Sequence, residues 1–279
     1  MEDVSLEEGG VKAIFSPQGG MNMKSLCFGN FEVIDQSTKG LFEERLAGLG
    51  ALIGPHFYRR KEAIIPKLDL SPFPHAKEGG DPFTHGIGRY APWTFTKEPH
   101  KIDATLKGSD VWNGIKLSDL EGQDFTMRYT ASIFKGGLDI SLSVVSQADS
   151  LVGTHFYYSL PEGGGRVVSR VASDYIVKGK AEEIPASIGF DKESSTLNFS
   201  LDQEADFTFH PLSPLKGEIA LETKAYTLLI TYESASSENS WQLWHPKEKN
   251  FVCIEPISSF DPRHANLTVS SIKIRIELK

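Results

Sequence analysis

The sequence predicts an all-β fold: a large, mostly antiparallel β-sandwich or barrel in a single domain, residues 1–279. Three observations carry this. Short apolar runs with period-2 alternation recur along the chain, separated by turns rich in Gly, Asn and Pro. Phe, at 17, and Gly, at 25, are both frequent, as strands joined by tight turns require. No sustained apolar pattern at helical spacing competes with these runs.

The elements follow in order. Val11–Phe15, Met23–Phe28 and Phe31–Asp35 read as a meander with turns at Gly19-Gly20 and Gly29-Asn30. Residues 42–47 read as a short helical turn. The apolar entry 51–57 ends in Tyr58-Arg59-Arg60, and 61–82, rich in Pro, Gly and charge, reads as a long surface loop. Beyond Thr84–Tyr90 and Trp93 come strands at 94–97, 101–107, 114–120, 124–134 and 138–147. The last of these places Leu138, Ile140, Leu142 and Val144 on one face. Residues 153–160 set His155, Tyr157 and Ser159 on one face and Phe156, Tyr158 and Leu160 on the other. Strands are also expected at 167–177, 195–201, 207–209, 225–232, 241–244, 251–257 and 269–278. In the final strand Ile272, Ile274, Ile276 and Leu278 alternate with Ser271, Lys273, Arg275 and Glu277.

A formal net charge of -8 with no basic block argues against a nucleic-acid partner. No run reaches membrane-spanning length and Met1–Val4 lacks an apolar signal core, so a cytoplasmic protein with no membrane partner is expected. The two cysteines, Cys27 and Cys253, lie in apolar contexts and read as buried thiols. No His or Cys pair stands at metal-ligand spacing, and no glycine motif cradles a phosphate, so neither metal nor cofactor is expected.

Glu255 stands out within Phe251-Val252-Cys253-Ile254-Glu255-Pro256-Ile257. Alternation puts it on the face of Phe251 and Cys253, where ionisation is costly and its pKa should rise. Pro256, without an N–H, suggests that the ladder ends there. His85 in a glycine-rich stretch, His155 on its strand and the Arg59-Arg60 pair are further candidates, each also readable as a structural or solvated residue.

Taken together and in order, Arg59/Arg60, His85-Gly86-Ile87-Gly88-Arg89 with Trp93, Thr154-His155-Phe156-Tyr157, and Cys253-Ile254-Glu255-Pro256 resemble the aldose 1-epimerase/galactose mutarotase-like family over most of residues 11–278. The resemblance implies the family's supersandwich and a small-molecule sugar substrate. It also implies Glu255 as general base and His155 as general acid, with His85, Arg59 or Arg60, and Asp206 (preferred over Asp202) binding the sugar. Tyr58-Arg59-Arg60 and His155-Phe156-Tyr157 depart from common family patterns. Anomer interconversion needs a proton removed from the anomeric hydroxyl and one given to the ring oxygen, and carboxylate and imidazole suit both tasks. His155 would have to start protonated, with a carboxylate such as Asp206 beside it. The alternatives are a hexose-6-phosphate epimerase of the same superfamily, with Arg59, Arg60 and Arg89 as extra cations, and a non-catalytic carbohydrate-binding protein. A glycoside hydrolase, which needs two carboxylates, ranks last.

Overall fold

The computed structural model describes residues 2–57, 70–76 and 81–279. The alternation in the sequence is realised most cleanly where Gly137–Ser150 pairs with Leu267–Leu278. There Leu138, Ile140 and Leu142 lie opposite Ile276, Ile274 and Ile272, all buried. Each such side chain taken from water stabilises the fold by about 1.5–3 kcal/mol. The outward Arg275 and Asp139 form a two-point ion pair, with both N···O distances 2.7 Å.

This pair lies within one layer. In spatial order that layer runs Thr94–Glu98, Lys101–Lys107, Phe125–Phe134, Gly137–Ser150, Leu267–Leu278, Thr227–Ser234 and Lys216–Glu222. The second layer runs Val4–Glu8, Val11–Ser16, Asn22–Phe28, Gly50–Ile53, Gly153–Ser159, Phe251–Ile257, Ser240–His245 and Ala205–Pro211. Every neighbouring pair is antiparallel. Arg166–Val177 serves both layers: residues 166–169 pair with Lys216–Glu222, and later residues pair with Ala205–Pro211. The register shifts between Val171 and Tyr175, an irregularity that lets one strand bend from layer to layer. The layers share an apolar cluster running from Val4 to Ile276. Across it Phe15 of one layer meets Tyr129 of the other edge to face, at 6.2 Å between ring centres. The fold is all-β and mostly antiparallel.

Departures from the sequence reading have local causes. Residues 114–120 yield only the two-residue strand Ile115–Lys116 before a short helix, Leu117–Glu121. Leu117 and Leu120, three apart, bury together, and Gly122 ends the turn at φ 80°. Val4–Glu8, Lys180–Glu183 and Lys216–Glu222 are strands whose polar content hid them. In the last, Gly217 accommodates the Tyr232 ring, because a Cβ there would fall 2.0 Å from it. The Glu255 strand does not stop at Pro256. It reaches Ile257, with Pro256 opposite Trp241, while the pairing toward Gly153–Ser159 passes from Phe156–Ile254 to Gly153–Ile257. Cys27 is only half-buried and bonds to Ser25 and Glu32, whereas Cys253 is fully buried. The helical turn expected near 42–47 is the helix Lys39–Arg45. Among the described residues no helix is long and apolar enough to cross a membrane.

A buried ionic cluster fastens the loop that carries His85. His56 Nδ1 meets Glu121 Oε1 at 2.6 Å, and Nε2 forms an ion pair with Asp81 Oδ2 at 3.0 Å, bent out of hydrogen-bond alignment. Burial alone would lower the imidazole pKa. The charges of Glu121 and Asp81 override it and push His56 up to about 9. Because the folded value exceeds the ordinary 6.5, the stabilisation is complete below pH 6.5 and is lost as pH rises through about 9. At 1.36 kcal/mol per pKa unit the group accounts for roughly 3 kcal/mol. Urea unfolding at a series of pH values should show wild-type stability falling by about this amount across that window, and a flatter profile for His56→Leu.

Candidate active site

Alternation and register together build the site. In Phe251–Ile257, Val252 and Ile254 enter the main core, while Phe251 and Cys253 turn the other way and pack with Tyr157 and Trp244. The register of Gly153–Ser159 against that strand, Phe156 with Ile254 and Gly153 with Ile257, sets His155 across from Glu255. Their side chains meet at 3.4 Å, Nε2 to Oε1. Both are buried, His155 at 7% and Glu255 at 2% exposure. The His155 ring stacks on Tyr157, two residues along the same face, with centres 5.0 Å apart and planes inclined 18°.

A polar row crosses the strands at this level. Gln242 lies opposite Glu255, and Thr208 lies opposite Gln242. Thr208 Oγ1 donates to Gln242 Oε1 at 2.5 Å, and Gln242 Nε2 donates to Asp206 Oδ1 at 2.5 Å. Asp206 is therefore linked to the row through Gln242, whereas Asp202 falls in the exposed turn after Leu201. His85 closes the site from the other side. Its ring stands edge-on to His155 at 5.1 Å, and Phe57 stands edge-on to His85 at 5.0 Å. Glu255, His155, His85 and Asp206 thus gather in one region. Arg59 and Arg60 lie outside the described residues.

Arg89, which the sequence offered only as an extra cation, is a buried residue of this site at 4% exposure. The one-turn helix Ile87–Arg89 presents it, held by Trp93 Nε1 donating to Gly88 O at 2.9 Å. Arg89 Nε donates to Leu46 O at 3.3 Å, and Arg89 lines the same pocket as Tyr157. A pocket of about 140 Å³ opens here, lined by Arg45, His75, His85, Arg89, His155 and Tyr157 among others. An Arg between Gly-Ile-Gly and Tyr-Ala-Pro-Trp, an apolar and aromatic context, was the available signal. Gln242 had none, because its place depends on pairing between strands distant in sequence.

Burial governs the protonation of the pair. It raises Glu255 well above the ordinary carboxyl value; Arg89 opposes this, and the Asp206 charge adds to it. Burial likewise drives His155 well below the ordinary imidazole value, and Arg89 drives it further. His85 is lowered for the same reason, with the charges of Arg89, His155 and His56 adding. Both shifts favour the neutral forms, an uncharged imidazole beside a protonated carboxyl. The direction runs against a His155 that starts protonated beside Asp206, because burial penalises the charged form of each group. Donor atoms of His155, Cys253 and Glu255 lie within 4.8 Å of one another, a nitrogen, sulfur and oxygen set of the kind zinc accepts. Burial raises the Cys253 thiol well above its ordinary pKa, which disfavours the thiolate a metal would need.

The fold is that of galactose mutarotase-like proteins. A galactose mutarotase-like protein from Lactobacillus casei superposes with a TM-score of 0.70 at 15% identity, covering 100% of each chain. A galactose mutarotase related enzyme from Lactobacillus acidophilus gives 0.69 at 17% identity, covering 100% of this chain and 97% of its own. An Escherichia coli K12 protein provisionally assigned as an aldose 1-epimerase gives 0.70 at 13% identity, covering 100% of this chain and 99% of its own. No protein-family model and no curated protein sequence matches the chain.

Infrared difference spectra of wild type against Glu255→Gln should contain the C=O stretch of a protonated carboxyl at neutral pH. A carboxylate signal alone would place the proton elsewhere.

Proposed function

We propose that the protein is an aldose 1-epimerase, interconverting the α and β anomers of a free sugar. The observation that carries this is the buried His155–Glu255 pair, 3.4 Å apart beside His85 and Arg89, on a galactose mutarotase-like fold. A buried carboxyl shifted up beside a buried imidazole shifted down is the equipment of a reversible proton shuttle, and a structural role leaves the pair unexplained.

The reaction moves two protons and breaks one bond. One group takes the proton of the anomeric hydroxyl as the other protonates the ring oxygen, and the C1–O5 bond opens to the aldehyde. Rotation about C1–C2 presents the other face of the carbonyl. The O5 hydroxyl then attacks C1, returning its proton to one group while the new anomeric oxygen takes a proton from the other. The pair always supplies one donor and one acceptor. With Glu255 as base and His155 as acid, as the family resemblance implies, entry of the sugar must transfer the proton from Glu255 to His155. Hydrogen bonds from sugar hydroxyls, together with the Arg89 charge, favour the carboxylate and so assist that transfer. His85 and Asp206 contact sugar hydroxyls in this reading, and Arg59 or Arg60 completes the grip.

The lining of the pocket favours one second reading, a phosphorylated aldose. Arg45, Arg89, His75 and His85 border it. Arginine is well suited to a phosphate because its planar fork matches the oxygens.

NMR exchange between anomers, run on a panel of free aldoses and hexose 6-phosphates, tests both readings. Glu255→Gln and His155→Asn should each slow the preferred sugar by about 10²–10⁴-fold. A wild type that binds sugars without speeding their exchange would sink the enzyme reading and leave a carbohydrate-binding protein. For the phosphorylated substrate, Arg45→Gln at the exposed pocket rim should raise KM roughly tenfold for the phosphate ester and leave the free sugar unaffected. Equal effects on both sugars would count against a phosphate contact.

A further inference from the structure

We infer that His56, clasped between Glu121 and Asp81, is a positioning residue that holds His85 in the left-handed conformation facing His155. The inference rests on the proposed function only for its catalytic consequence.

The geometry surrounds His85 from both sides. Its φ of 70° is one that non-glycine side chains rarely adopt, and such a conformation persists only where surrounding contacts over-determine it. Those contacts come through the two carboxylates that hold His56. Asp81 Oδ1 accepts the Phe83 N–H at 2.9 Å, two residues before His85. Glu121 Oε2 accepts the Ile87 N–H at 3.3 Å, two residues after it. The strand end leading to His56 supplies the rest: Gly54 N–H donates to His85 O at 2.8 Å, and Phe57 packs edge-on against the His85 ring. The fit is close, since a Cβ on Gly86 would fall 2.1 Å from Gly54 O. His56 thus joins the helix Leu117–Glu121, the Asp81 turn and the end of Gly50–Ile53 at one buried point.

An imidazolium suits this position because it places one N–H on Glu121 and brings its positive charge within 3.0 Å of Asp81 on the other side. The titratable and charged groups facing it are Glu121 on the helix, Asp81 on the turn and His85 on the loop, with the Arg89 and His155 side chains beyond. Deprotonation removes the positive charge that holds the two carboxylates together and leaves them one imidazole N–H between them, and the segment between Phe83 and Ile87 loses an anchor.

The test uses the full-length protein with labelled histidine side chains. The double variant His56→Gln/Glu121→Gln replaces the imidazolium and one of its two carboxylates by neutral groups of similar size and leaves Asp81 in place. In that variant, if folded by circular dichroism, the nuclear Overhauser contacts from His85 to Phe57 and His155 should weaken or vanish. Anomer exchange should fall on the order of 10²-fold, as for a misplaced contact group, chiefly through KM. Should the variant not fold, wild type titrated through pH 9 serves instead, where the His85 imidazole signals should shift with the same midpoint as His56. Unchanged His85 contacts in a folded variant, or His85 signals blind to the His56 titration, overturn the inference. Both arms read His85 directly, so a wild type that turns over no sugar would defeat the enzyme reading and leave this one decided on its own data.

Discussion

Antiparallel register between Gly153–Ser159 and Phe251–Ile257 holds an imidazole and a carboxyl 3.4 Å apart in a buried place where a charge on either is costly. Neither strand can slip by one residue without turning its apolar side chains out of the core, so the pair is held by the hydrophobic pattern of two strands. Val252, Ile254 and Phe156 buried on one face fix where His155 and Glu255 stand on the other. The packing that stabilises the fold therefore also sets the geometry of the proton pair.

His56 and His155, both buried beside carboxylates, are shifted in opposite directions. His56 faces two carboxylates, and their combined charge outweighs the desolvation penalty, so it is held protonated. His155 faces one carboxyl and has Arg89 nearby, so burial prevails and the imidazole stays neutral. The difference is one of charge balance, since both rings are buried. It also divides the work: a charged cluster anchors a loop, while a pair with one mobile proton is suited to chemistry.

Arg89 connects the two. Its charge lowers His155 and His85 and eases ionisation of Glu255, and its backbone is set by close packing against Gly20. A Cβ at Gly20, whose φ is 70°, would fall 1.9 Å from Arg89 O. The glycine of an early turn thus allows the cation of the site to take its place.

Local pattern alone was enough to establish the all-β class, most of the strands, the facing of His155 with Tyr157, and the segregation of Glu255 with Phe251 and Cys253. Period-2 alternation is a property of the residues themselves and survives without knowledge of strand neighbours. The strand Lys216–Glu222 escaped notice because its glycine and charges make sense only beside Tyr232 and at the sheet surface. Residues 114–120 were misread because a leucine pair three apart is too short a signal to separate helix from strand. The order of the strands, the Gln242 link to Asp206, the partners of His56 and the burial of Arg89 belong to the tertiary structure. Each depends on contacts between segments far apart in the chain, and the protonation of His155 and Glu255 depends further on how much water the completed fold excludes.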